Sequence, residues 1–298
     1  MGKSQSESGA IAKDGIWARK NGRYAIDKLQ FLDDYLPPAW KATQRKPRRW
    51  FIDLFAGPGW NIDTQNADFE FPGSPYRALS SRYAGPPIVS CTDAVFINKD
   101  SRDHAALETR IKTWCADGTS VVPKNRIETI LGDANSRIRY VLNRIPIKDY
   151  IFVFADILGP KMLPWRTVEL LRASHKSVDL YLLFPHEMAI KRLVGFDAAH
   201  TELNASTLTA FFGTEEWKPI VEARRTDAES RPMWLTLAQL YERRLRTIWK
   251  NVDEQKKINA VGDRTLYRML FATDHPVGAK LAGWERGSSR QEQTTLGL

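Results

Sequence analysis

FIDLFAGPGW, residues 51–60, is an apolar run that breaks into glycine, proline and glycine, with one carboxylate, Asp53, inside it. Aromatic and β-branched residues at this density have the composition of a buried strand, and the small residues behind them make a tight turn. Such a strand either delivers a ligand loop or merely reverses the chain, and the rest of the sequence bears on which. Four more runs repeat the signal: IVSCTDAVFI at 88–97, RIETIL at 126–131, YIFVFA at 150–155 and VDLYLLF at 178–184. Helical patterns separate them, at 75–83, 101–114, 134–143 and 164–174. Strands alternating with helices predict an α/β fold with a mostly parallel, doubly wound sheet and right-handed crossovers.

The flanks extend this plan. From Tyr24, YAIDKLQFLDDYLPPAW spaces Ile26, Leu29 and Leu36 as one face of a helix, which the Pro37-Pro38 pair is expected to end. Beyond Phe184 the strand rhythm stops, and residues 186–231 read as an inserted helical lobe around FFGTEEW. A helix succeeds it at 234–250. INAVGDRTLYRMLFAT then reads as two strands about a Gly-Asp turn, closing the sheet with an antiparallel hairpin. The expected organisation is one α/β domain from residues 15–185 and 232–286, interrupted by the 186–231 lobe. Residues 1–14 and 287–298, rich in Ser, Gly and polar side chains, are expected to be disordered.

Doubly wound sheets bind ligands beyond the carboxyl ends of their strands, where strand order reverses. The residues just after each strand therefore decide whether a site exists. After the first come Ala56, Gly57, Pro58 and Gly59, small enough to let backbone approach a ligand, while Asp53 can accept from an amino or hydroxyl group. No Gly-Lys-Ser/Thr succeeds them and the G-x-G-x-x-G spacing is absent, so a cofactor bound without phosphates fits better. After the second strand comes Asn98, where nucleoside-binding folds present a carboxylate to ribose. The interval before it is longer than the ~20 residues of a bare dinucleotide unit. The excess, NIDTQNADFEFPGSP, either lids the site or only lengthens the connection. After the third comes Asp133, a partner for an adenine amine or a plain helix cap. Asp156 lies just past the fourth strand and can hydrogen-bond an acceptor amine; His186 lies just past the fifth and is either a base or structural.

Charge narrows the partner class. The 298 residues carry 44 Lys+Arg against 35 Asp+Glu, a net charge of +9, which favours a polyanion such as nucleic acid. Lys41, Arg45, Lys46, Arg48 and Arg49 crowd one connector between Trp40 and Trp50, a pattern that serves a phosphate backbone or a solvated loop. Two cysteines, Cys91 and Cys115, give no metal-ligand spacing, so no metal is expected. The N-terminus lacks the apolar stretch of a signal peptide, and no apolar run is long enough to span a bilayer, so a cytoplasmic location without membrane association is expected.

Taken in order, DLFAGPG, GSP at 73–75, INKD, GDAN, FADILG and LYRMLFATDHP resemble the three-Cys-motif partner family, TcmP, over roughly residues 17–284. The resemblance implies a Rossmann-like class I methyltransferase fold with S-adenosylmethionine as cofactor. It places the methionine part of the cofactor on Asp53, Phe55, Ala56, Gly57 and Gly59, the ribose near Asn98, and the adenine near Asp133 and Ala134. Asp156 takes the position where related enzymes begin an Asp-Pro-Pro-aromatic or Asp-Pro-Phe-Gly motif. The chain departs from the family pattern at Asn98, where an acidic residue is usual, and at Ile157, where proline is usual. The family name implies a partner protein carrying a three-cysteine motif. The expected activity is methylation of nucleic acid with Asp156 orienting the acceptor; the alternative is a methyltransferase-fold subunit, weak or inactive in catalysis, that binds nucleic acid or a partner protein. Cytosine carbon methylation needs a cysteine nucleophile in the loop after the fourth strand, and none is there.

Overall fold

The computed structural model describes residues 8–173, 175, 177–185, 188–194, 198–226, 233–259 and 265–283. The apolar runs become strands β1 (Arg49–Asp53), β2 (Asp93–Asn98), β3 (Ile127–Leu131), β4 (Tyr150–Ala155) and β5 (Val178–Phe184). β6 (Asn251–Asn259) and β7 (Thr265–Thr273) complete a seven-stranded sheet in the order β6-β7-β5-β4-β1-β2-β3. β1 runs parallel to β2 and β4, and β2 parallel to β3, whereas β7 is antiparallel to both β5 and β6. Every residue of β2, β4 and β5 is buried, which is why these strands read as unbroken apolar runs rather than alternating ones. The fold is the expected α/β one, mostly parallel with a C-terminal antiparallel hairpin. β6 starts earlier than the sequence suggests, because NVDEQKKIN is polar: Val252 and Ile258 are buried, while its lysines suit the sheet's outer edge.

Two compact units make up the chain: residues up to Phe154 with the segment from Lys280, and Ala155–Ala279. The division falls at the end of β4. The second unit has a shared aromatic core. Helix Ala198–Phe212 buries Phe211 and Phe212, and Phe211 stacks on Tyr241 of helix Met233–Arg246 at 4.8 Å between centroids. Phe184 of β5 lies 5.2 Å from the same Tyr241. Helices Met188–Val194, Ala198–Phe212 and Trp217–Thr226 are the expected inserted helical segment, and its aromatic residues share this core.

In the first unit, α1 (Tyr24–Ala42) passes straight through Pro37 and Pro38 instead of ending there. Two prolines deprive the carbonyls of Asp33 and Asp34 of their helical donors. Tertiary packing outweighs that loss. Leu36, Ala39 and Trp40 are buried, Trp40 Nε1 donates to Ser81 Oγ at 3.1 Å, and Arg77 ion-pairs with Asp33. Helices α2 (Ser74–Ser80), α3 (Ser101–Ala116) and α4 (Ala134–Arg144) lie within a few residues of expectation.

The second correction concerns residues 8–14, expected to be disordered. Gly9–Ile11 pairs with Trp17–Asn21, which pairs with Trp60–Asp63 and then Glu70–Pro72, making a small four-stranded sheet. The long first crossover is therefore built structure, with Ala12, Ala18 and Ile62 as its own small core. Trp17 Nε1 donates to Asp103 Oδ1 at 3.0 Å and Arg19 ion-pairs with Asp103, tying this sheet to α3. The expected 287–298 tail lies outside the described residues.

Candidate functional site

Beyond the carboxyl end of β1 the chain turns through Leu54 to Gly59, and neighbouring strands fix that turn. Leu54 N–H donates to Phe154 carbonyl and Ala56 N–H to Ile97 carbonyl, each at 3.1 Å. Asp53 is fully buried: Oδ2 accepts from Ser74 Oγ at 2.6 Å and Oδ1 from Phe55 N–H at 3.0 Å. Its carboxylate thus holds the loop to α2. The GSP stretch has its physical reason here. Gly73 N–H donates to Gly59 carbonyl at 3.0 Å, and a Cβ at Gly73 would lie 3.1 Å from that same carbonyl, so the start of α2 lies directly against the loop.

Gly57 has φ +62°, a left-handed conformation that disfavours any side chain, and a Cβ built there meets nothing within 4 Å. Its outer side is open space, whereas a Cβ on Gly59, at φ +80°, would meet Trp114 at 2.9 Å. One face of the loop is thus open and the other is packed against α3.

Asn98 ends β2 and is only 4% exposed. Its Nδ2 donates to the Gly57 carbonyl at 2.8 Å, and its own carbonyl accepts from Gly132 N–H at 2.8 Å. One residue therefore links the ends of β1, β2 and β3. A carboxylate has no hydrogen to give to Gly57, so the link depends on the amide. Asp133 caps α4, accepting from Ser136 N–H at 3.3 Å, and Ala134 is the buried first residue of that helix. Asp53, Phe55, Ala56, Gly57, Gly59, Asn98, Asp133 and Ala134 thus all lie at the carboxyl ends of the first three strands.

Asp156 lies just past β4 and is partly buried; next to it Ile157 is fully buried and donates from its N–H to Ala155 carbonyl at 3.2 Å. An apolar side chain filling that position is the physical content of the departure from proline. His186 lies outside the described residues.

The basic connector is set apart from the glycine loop. It precedes β1, so it sits at the amino end of a strand whose carboxyl end carries the loop, roughly 15 Å away for five residues at ~3.3 Å each. Three of its cations are committed internally. Arg49 Nε donates to Ser90 carbonyl at 2.8 Å, Arg48 ion-pairs with buried Asp93 at 3.5 Å, and Lys41 Nζ donates to Pro86 carbonyl at 3.2 Å. Burial lowers the Arg49 pKa and raises that of Asp93, the latter offset by Thr92 and Arg48. Arg45 is exposed and Lys46 half-buried.

Sequence patterning gave no sign of Arg110. It is 1% exposed, donates from Nε and Nη2 to the two oxygens of Asp14 at 2.7 and 3.0 Å, and from Nη1 to the Trp17 and Pro58 carbonyls at 2.7 and 2.8 Å. It thereby ties α3 to the small sheet and to the glycine loop.

No protein-family model and no curated protein sequence matches the chain. Solved structures to which it is similar include spermidine synthase from Thermotoga maritima, at 11% identity and a TM-score of 0.44, covering 90% of this chain and 65% of that one. M. jannaschii TYW2 in complex with AdoMet matches at 10% identity and TM-score 0.39, over 91% and 87% of the two chains. A putative methyltransferase yhhF from Escherichia coli matches at 14% and 0.38, over 88% and 94%. Among the described residues no helix is long and apolar enough to cross a membrane, and no cluster of His, Cys, Asp or Glu has the makings of a metal site.

Proposed function

We propose that the chain is an S-adenosylmethionine-dependent methyltransferase acting on nucleic acid. The observation that carries this is the Gly57 cradle: a left-handed glycine with open space beside it, at the topological switch of a doubly wound sheet, its carbonyl held by Asn98. The residues present fit a phosphate-free nucleoside cofactor. The loop of residues 54–59 would hold its amino-acid end, and Asn98, with its amide committed to Gly57, keeps Oδ1 to accept a ribose hydroxyl. The N-terminal turn of α4 would take the base. When bound, the cofactor supplies an electrophilic methyl group on a sulfonium.

The remaining work falls to the protein: aligning an acceptor with that methyl and accepting its proton. Asp156 is assigned the orienting role, with an acceptor N–H donating to its carboxylate. The net charge of +9 supports a polyanionic acceptor. The connector at the amino end of β1 would contact the phosphate backbone away from the reacting base, through Arg45 and Lys46. The resemblance to the three-Cys-motif partner family adds a protein partner with that motif to the proposal.

The test is transfer of a labelled methyl group from the cofactor to DNA and to RNA. Label on either, lost in Asp156→Ala, supports the reading; label on neither overturns the nucleic-acid acceptor. We further expect Arg45→Glu with Lys46→Glu to weaken nucleic-acid binding and lower its salt slope by about two, since each phosphate contact contributes ~0.9. Unchanged binding would remove the connector from the interface.

A second reading has one observation in its favour. Both oxygens of Asp53 accept from the protein and the Asn98 amide is spent on Gly57, so the loop is held shut internally. A subunit that keeps the fold and binds partners without turnover has that character.

A further inference from the structure

A cleft of about 750 Å³ opens in the first unit, beside the small sheet and the second half of α3. Its walls are aromatic. Tyr76 stands between Trp60 and Trp114, edge-to-face with each, at 77° and 83° with centroids 5.5 and 5.3 Å apart. All three rings contribute to the lining of the cleft. Phe69, 38% exposed, stands at the rim.

The charge of this cleft is opposite to that of the molecule. Asp14 is paired with Arg110, which leaves Asp68, Glu70 and Asp117 against Lys13 in a chain of net charge +9. Neither cation is available to neutralise an incoming group's partners: Arg110 is committed to Asp14 and to backbone carbonyls, and Lys13 Nζ donates to the Asp68 carbonyl. Hydrogen bonds from Thr119 hold Asp117 below the usual carboxylate range, so it is ionised at neutral pH.

We propose that this cleft binds an alkylated ammonium group. A cation wrapped in methyl or methylene groups sheds its weak hydration readily, gains the attraction of the ring faces, and keeps the carboxylates of the rim as counter-charge. A compact hydrated metal ion would need several oxygen ligands converging on one point, and among the described residues the carboxylates do not cluster in that way. A phosphate or carboxylate would meet the acidic rim. The site is distinct from the glycine loop, since Trp114 stands on the packed side of Gly59 and the cradle is at Gly57.

The probes are choline and a trimethyllysine peptide, titrated calorimetrically into the full chain beside the uncharged carbon analogue of choline. Binding of either cation, with the neutral analogue weaker by about tenfold, is the expected result. Tighter binding by the peptide would identify a side chain as the source of the group, and tighter binding by choline a free small molecule. Asp68→Asn with Asp117→Asn, both exposed positions, should weaken the cations and leave the neutral analogue unchanged. Tyr76→Leu should weaken the cations further. Equal binding of charged and neutral probes, or no binding of either cation at millimolar concentration, overturns the proposal.

Discussion

Arg110→Leu is expected to destabilise the protein by ~3 kcal/mol, mainly by leaving several buried carbonyls without a donor, since Asp14 is 40% exposed and can be hydrated. The side chain is 1% exposed and makes hydrogen bonds to Asp14, Ile16, Trp17 and Pro58. Leucine restores the packing volume but leaves carbonyls that had been satisfied in the interior, each costing ~1–3 kcal/mol if no water replaces the donor. Because one of them belongs to Pro58, the glycine loop loosens as well. Thermal unfolding monitored by circular dichroism measures the loss, about 6–12 °C at ~2–4 °C per kcal/mol for a domain of this size. Arg110→Lys should recover little, since an ammonium cannot span both Asp14 oxygens and two carbonyls in fixed geometry. A midpoint unchanged in Arg110→Leu would mean that the small sheet is held by something else.

Asn98→Asp is expected to weaken cofactor binding, although a carboxylate is a good partner for ribose hydroxyls. The substitution removes the hydrogen that Nδ2 gives to the Gly57 carbonyl across 2.8 Å and sets a carboxylate oxygen against that carbonyl in a buried position. Loss of the bond with an acceptor left unsatisfied costs ~1–3 kcal/mol. That is about one to two decades of affinity, read by titration of the cofactor into both proteins. Tighter binding by the aspartate variant would show that the residue acts on ribose first and on the loop second.

These residues also show what the sequence discloses. β4 and β5 agree with the apolar runs to the residue, because strands buried on both faces leave an uninterrupted signature. The glycine loop and the Asn98 and Asp133 positions were legible by their place after strands. The work of Asp53 and Asn98 was not, since it depends on which protein group lies opposite each oxygen or amide. Arg110 and Asp14 are 96 positions apart and neither stands in a motif, so nothing local joins them. The segment 8–14 is small and polar, and its order comes from pairing with Trp17–Asn21 rather than from its own propensity. At Pro37 and Pro38 a strong local rule lost to the burial of Trp40. That Arg48 and Arg49 of the basic connector face Asp93 and the Ser90 carbonyl was not legible either, because charge in a sequence carries no record of which group a guanidinium faces.

Whether the Gly57 cradle holds S-adenosylmethionine is decided by titrating that cofactor into the wild-type chain and into Gly57→Val. A valine at φ +62° is strained by ~1–2 kcal/mol, small against the stability of a domain, so the variant remains folded while its side chain fills the cradle. The expected result is saturable one-to-one binding by the wild type and its loss, by at least about tenfold, in a variant with an intact circular dichroism spectrum. No binding by the wild type, or equal binding by both proteins, would contradict the assignment of the cradle to the cofactor.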